Sequence, residues 1–174
     1  MRILKAGACN NAGFTLIELA MVILIIGIVG AVAMPRFGGL LERQYMRRTI
    51  NAIHGYARYL HAYAASDKCV YSLMFDLDQQ ILSMSSLNTP GCLGQARRLP
   101  DYVIPSTIRI LDVVTPEREK IGEGQVMTLF YPNGFAQPST IHLGGIGVEP
   151  VTLMIEPLTG RVQMFEGYVE RQVS

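Results

Sequence analysis

The sequence predicts an α+β protein in which one long amino-terminal helix packs on small antiparallel β-sheets. Three observations carry that prediction. Residues 14–34, FTLIELAMVILIIGIVGAVAM, form an apolar run interrupted early by a single carboxylate, Glu18. From Leu41 onward, apolar and small residues recur at spacings of three and four, the period of a half-buried helix. Beyond Asp67 the chain breaks into short apolar segments separated by turn residues.

The first 13 residues, MRILKAGACNNAG, make a short leader with Arg2 and Lys5. The 21 residues after it reach roughly 30 Å as a helix, the thickness of bilayer hydrocarbon, so residues 14–34 read as a transmembrane segment. In a secretory signal the apolar region precedes the cut and ends in small residues at A-x-A spacing. Here a cut after Gly13 falls before the apolar region, which then survives processing. An ionised carboxylate in hydrocarbon costs about 2.5 to 3.5 kcal/mol at mid-membrane and less near an end, where Glu18 lies. Cutting after Gly13 also creates an amine at Phe14, a cation at neutral pH and one helical turn from Glu18. The pair forms either within one chain or between Glu18 of one subunit and the Phe14 amine of its neighbour.

Pro35 and the Gly38-Gly39 pair are placed to bend or loosen the helix. Its second half carries the stripe Leu41, Tyr45, Thr49, Ile53, Ala57, Leu60 and Ala64, with Glu42, Arg43, Arg47, Arg48, Asn51 and Arg58 on the polar sides. One helix is therefore expected over residues 14–65. Strands are expected over residues 69–76, 79–84, 106–114, 126–131, 139–143, 151–156 and 161–165. The first two make a hairpin around Leu77-Asp78, and Pro157-Leu158-Thr159-Gly160 joins the last two. Antiparallel sheets covered on one face by the helix are the economical packing.

Charge and motif content exclude several functions. Removing Arg2 and Lys5 with the leader leaves 13 Lys plus Arg against 14 Asp plus Glu. This balance argues against nucleic acid as a partner. His54 and His61 share a helix face, but no Cys or carboxylate completes a metal-ligand spacing beside them. Asp76 and Asp78 begin like a calcium loop without its central Gly. Gly144-Gly145-Ile146-Gly147 lacks the strand and helix of a dinucleotide fingerprint, and no G-x-S-x-G elbow occurs. The reading is a non-enzymatic protein with no cofactor and no metal. Arg36, Arg43, Arg47 and Arg48 follow the apolar run, so the positive-inside rule alone does not orient it.

GFTLIE, the apolar stretch behind it and Pro35 resemble the amino-terminal signature of type IV prepilins and of the pseudopilins of type II secretion. The resemblance implies that prepilin peptidase cuts after Gly13 and methylates Phe14, that Glu18 is the assembly carboxylate and that Pro35 is the helix kink. A second, looser resemblance lies in Phe130-Tyr131-Pro132-Asn133-Gly134-Phe135, Ile141-His142-Leu143 and IEPLTGRVQ. These segments are similar to the carboxy-terminal domain of H-type minor pseudopilins and related minor pilins. Together the resemblances imply a leader (1–13), the transmembrane half of a long helix (14–34) and a periplasmic pilin-like head (35–174). The implied setting is the inner membrane, with the amino terminus cytoplasmic. The implied partners are the peptidase, major and minor pseudopilins, the inner-membrane assembly platform and secreted cargo. The implied function is pseudopilus assembly in type II secretion, with a type IV minor pilin as the alternative. An extracytoplasmic head permits a disulfide between Cys69 and Cys92, two reduced cysteines being the alternative.

Overall fold

The computed structural model describes residues 14–33, 38–87, 92 and 99–170. It divides into two compact units, Met1–Gly38 and Gly39–Ser174. In the first, α1 spans Leu16–Ala33. Thr15 caps it, its carbonyl accepting the Glu18 N–H at 3.1 Å. Residues 16–30 are all exposed and, Glu18 apart, carry no charge, so the helix has no polar face to set against an apolar one.

Over the described residues the predicted helix comprises two elements. α1 ends at Ala33 and α2 begins at Gly38, and Pro35, the expected kink, lies outside the described residues. Nor is any helix among the described residues long and apolar enough to cross a membrane. The 18 residues of α1 reach about 27 Å against about 30 Å of hydrocarbon, and Glu18 in the first turn shortens the apolar part further. The transmembrane half of the predicted fold does not stand, and neither does the single-pass inner-membrane localisation.

In the second unit, α2 (Gly38–Asp67) buries Met46, Thr49, Ile50, Ile53, Ala57, Leu60 and Ala64. The expected stripe holds from Thr49 onward, whereas Leu41 is exposed and Met46 and Ile50 join the core. The helix stops at Lys68, whose φ of 54° is the left-handed geometry of a helix C-cap. Just before it, buried Asp67 accepts the Tyr71 hydroxyl at 2.7 Å.

Nine strands among the described residues form two antiparallel sheets: β1 (Val70–Asp76), β2 (Ile81–Leu87), β3 (Tyr102–Val103), β4 (Ile108–Thr115), β5 (Arg118–Ile121), β6 (Gln125–Phe130), β7 (Ser139–Gly145), β8 (Val148–Ile155) and β9 (Val162–Glu166). One sheet has the order β3-β2-β1-β6 and the other β5-β4-β7-β8-β9. Period-two alternation sends Tyr71, Leu73 and Phe75 from the first sheet into the core. Ile110, Val113, Ile141, Leu143, Leu153 and Ile155 enter it from the second, and the α2 stripe completes one cluster. β3 and β5 have no counterpart among the expected strands. β3 is two residues long, and β5, REKI, is a charged edge strand with neither the alternation nor the β-branched content of a half-buried one.

Gln80 ties the two sheets together. It closes the four-residue β1–β2 turn with a φ of 55°, and its side-chain Oε1 accepts the Ile110 N–H at 2.7 Å. The β4–β7 register shifts between Ile110 and Asp112, so Gln80 occupies a backbone donor at an irregular point of the ladder. On the same turn Asp76 accepts the N–H groups of Gln79 at 2.7 Å and Asp78 at 3.1 Å. The Gln79 N–H first, then the Gln125 amide, hold the Asp76 carboxyl below the usual carboxylate range.

Candidate assembly site

The amino-terminal group is laid out in sequence order along the start of α1. Gly13 lies outside the described residues, Phe14 is exposed just before the helix, and Glu18 sits in the first turn. Glu18 makes no ion pair among the described residues. One carboxylate thus stands at the head of an exposed helix that carries no other charge.

In the second unit, the two loops singled out by sequence meet on one side chain of α2. His61 Nε2 lies 3.0 Å from the Gly134 carbonyl oxygen, joining the Tyr131–Ala136 loop to the helix. From the β8–β9 turn, Gly160 packs against the same ring. Its φ is 61°, and a Cβ there would come within 2.5 Å of His61 Cδ2. Glycine is needed at this position for both conformation and space. His61 is thus a structural clamp. His54, seven residues earlier, does not join it; burial pushes its imidazole below the usual range, and its Nε2 has no hydrogen-bond partner among the described residues.

A polar network crosses the outer face of the second sheet. Register places Asp112 (β4), His142 (β7), Thr152 (β8) and Phe165 (β9) in one row, one residue per strand. His142 Nδ1 lies 2.6 Å from Asp112 Oδ1, and Nε2 lies 3.1 Å from the Val169 carbonyl oxygen. The Tyr168 hydroxyl donates to Asp112 Oδ2 at 3.0 Å, and the Tyr168 ring stacks on His142 at 3.8 Å. Thr152 Oγ1 donates to the Gly167 carbonyl at 2.7 Å and accepts the Val169 N–H at 2.9 Å. Residues 167–169 therefore form a strap over the row. Lys120 closes it from outside, 4.8 Å from the Tyr168 ring, and Tyr168 followed by Asp112 holds its ammonium above the usual range.

An Asp–His pair is also part of a hydrolytic triad, but there Nε2 must meet a nucleophile. Here the Val169 carbonyl occupies it, and His142 is 1% exposed. The network is a structural latch. Sequence reading had singled out only His142, within its strand; the available signal for Asp112 was a lone carboxylate inside the apolar segment Ile110–Val114. The cysteines are joined, Cys69–Cys92, with Cα atoms 4.7 Å apart, tying the end of α2 to the segment after β2.

A family model for the prokaryotic N-terminal methylation motif matches residues 9–34. Among solved structures, the chain is similar to the minor pseudopilin EpsH from the type 2 secretion system of Vibrio cholerae. The TM-score is 0.55 at 9% identity, over 74% of this chain and 99% of that one. The fold is type IV pilin-like. A second structure of EpsH gives the same TM-score at 10% identity, over 74% and 98%. The type IV minor pilin FimU of Pseudomonas aeruginosa follows at 0.48 and 17% identity, over 72% and 92%. No curated protein matches in sequence. Among the described residues no group of three or more His, Cys, Asp or Glu could hold a metal ion.

Proposed function

We propose that the chain is a minor pseudopilin of type II secretion, H-type, which joins a pseudopilus that moves folded proteins across the outer membrane. The observation that carries this reading is the coupling of a prepilin methylation motif at residues 9–34 to a head that shares its fold with a minor pseudopilin. In this reading prepilin peptidase cuts after Gly13 and methylates the Phe14 amine. α1, exposed and apolar all round, is covered by the corresponding helices of major and minor pseudopilins at the assembly platform. Glu18 then pairs with the Phe14 amine of a neighbour, which fixes the axial register of the stack. The head presents its loops to adjacent subunits and to secreted cargo.

Two measurements test this. Mass spectrometry of the chain purified from its native cells is expected to find a methylated amino terminus at Phe14. Glu18→Ala is expected to leave processing and head folding unchanged while removing the subunit from the assembly. Unchanged incorporation of Glu18→Ala overturns the role given to that residue. Deleting the gene distinguishes the machines: loss of secreted proteins with surface fibres intact supports the secretion reading, and loss of fibres alone supports a type IV minor pilin.

A further inference from the structure

One edge strand of the two sheets is unlike the others. β3 is two residues long, β5 carries three charges in its four residues, and β9 ends on Glu166. Short and charged edges resist further pairing. β6 is the outer strand of the first sheet, and it has no charged residue and no proline. Its register with β1 runs from Gln125 to Phe130 without a bulge. The Leu77 N–H donates to the Gly124 carbonyl at 2.9 Å, so the even-numbered residues of this ladder turn their main-chain groups toward β1. Gln125, Met127 and Leu129 turn theirs outward.

Part of that outer edge is already paired. Residues 135–137 run antiparallel to its end: the Tyr131 N–H donates to the Phe135 carbonyl at 2.8 Å, and the Gln137 N–H donates to the Leu129 carbonyl at 2.7 Å. Gln137 Oε1 accepts the Leu129 N–H at 3.2 Å. Pro138 follows, and from Ser139 the chain belongs to β7 of the other sheet. The places opposite Met127 and Gln125, which the same segment would fill if it ran straight on, border a cleft of about 160 Å³ instead. Among the described residues nothing bonds the outward N–H and C=O of Met127 and Gln125. Met127 and Leu129 wall the cleft on the β6 side; Arg118 and Ile121 of β5, with Glu117 from the β4–β5 turn, wall it on the other.

We propose that this cleft takes an extended, uncharged segment of another polypeptide, which pairs antiparallel with β6 in line with residues 135–137 and lodges one apolar side chain against Ile121, Met127 and Leu129. Main-chain hydrogen bonds give such strand addition its affinity, and the side-chain cavity gives it selectivity. The cleft holds about half of the ~300 Å³ at which small-molecule pockets begin, so it suits a side chain rather than a free ligand. Glu117 and Arg118 at its wall are both exposed and opposite in sign, which favours an uncharged segment over an acidic or a basic one. The β4–β5 hairpin stands opposite β6, so a single strand can enter where the edge of a second folded sheet would meet the hairpin first. The proposal goes beyond the secretion reading and does not depend on which machine the chain serves.

The test titrates the isotope-labelled full chain, in detergent solution, with the capped peptide acetyl-TVTLTVT-amide and follows its backbone amides by NMR. Saturable shifts are expected at Met127 and Gln125, and exchange of the Met127 N–H should slow about tenfold as it becomes bonded. Met127→Pro removes that donor at an edge position, where proline is tolerated, and is expected to weaken binding about tenfold. Ile121→Trp fills the cleft without touching the main chain of β6 and should weaken binding at least as much. An unchanged thermal transition shows that each variant folds; if Met127→Pro does not, Ile121→Trp and the exchange of the native chain decide. Shifts confined to β3, β5 or β9, binding that neither variant weakens, or no saturable shift overturns the proposal. So does self-association of the chain through Met127 without peptide, which would give the edge to a second copy. Glu18→Ala should bind the peptide as the native chain does, so failure of the assembly reading and failure of this site are read separately.

Discussion

α1 and α2 are neighbours in sequence and opposites in chemistry. The 18 residues of α1 are apolar in every direction, whereas the 30 residues of α2 divide into a buried apolar stripe and an exposed basic one. A helix with two faces can satisfy one within its own domain and offer the other outside. A helix with one kind of surface all round has to find its whole environment elsewhere. The chain thus holds two kinds of helix: α2 is built into the core of its unit, and α1 leaves its whole described surface exposed.

The sharpest way to break that comparison is to cut into each helix. Leu60→Ala in the fully buried stripe is expected to destabilise the head by about 2 to 5 kcal/mol, read by denaturant unfolding. Ile25→Ala in exposed α1 should leave the same transition where it was. Equal losses from both would mean that α1 is part of the core. Next in size is the disulfide. Cys69→Ser with Cys92→Ser opens a sequence separation of 23 residues and should cost about 3 kcal/mol in the chain-entropy model. A reductant added to the native chain should reproduce that shift.

Smaller effects sharpen the picture of the head. Tyr168→Phe keeps the ring stack on His142 but removes a hydrogen bond to buried Asp112, an expected loss of about 1 to 2 kcal/mol. Amide exchange should rise at residues 167–169 and stay unchanged on α2, and uniform acceleration would contradict a local latch. The smallest effect is Asp76→Asn. The carboxyl is held below its ordinary value, so its contribution is present above the unfolded carboxylate range and is lost as pH falls through the folded value. The melting temperatures of native and variant chains should therefore differ at pH 7 and converge on acidification.

Much of this was legible in the residues because it depends on local periodicity. The α2 stripe from Thr49 to Ala64 and seven of the nine described strands follow from spacing and turn chemistry. What failed depends on length or on distant partners. The apolar run resembles a membrane span in composition, but its described helix covers 18 residues, Leu16–Ala33, and carries Glu18 in its first turn. β5 is charged and at an edge, so nothing in its pattern announces a strand. Asp112, Thr152 and Tyr168 are each unremarkable alone; only the register of β4, β7 and β8 and the return of residues 167–169 bring them into one network. Spacing likewise put Gly134 and Gly160 in turns, but not on His61.

The strap also sets an order of events during synthesis. Asp112, His142 and Thr152 are in place once β4, β7 and β8 have paired, yet the groups that satisfy them, Tyr168 and Val169, come after every strand they cover. While residue 168 is still inside the ribosome, the sheet holds an imidazole and a carboxylate facing water. The strands can pair around α2 first, but the outer face closes only when residues 167–169, which follow β9, cross back over the row.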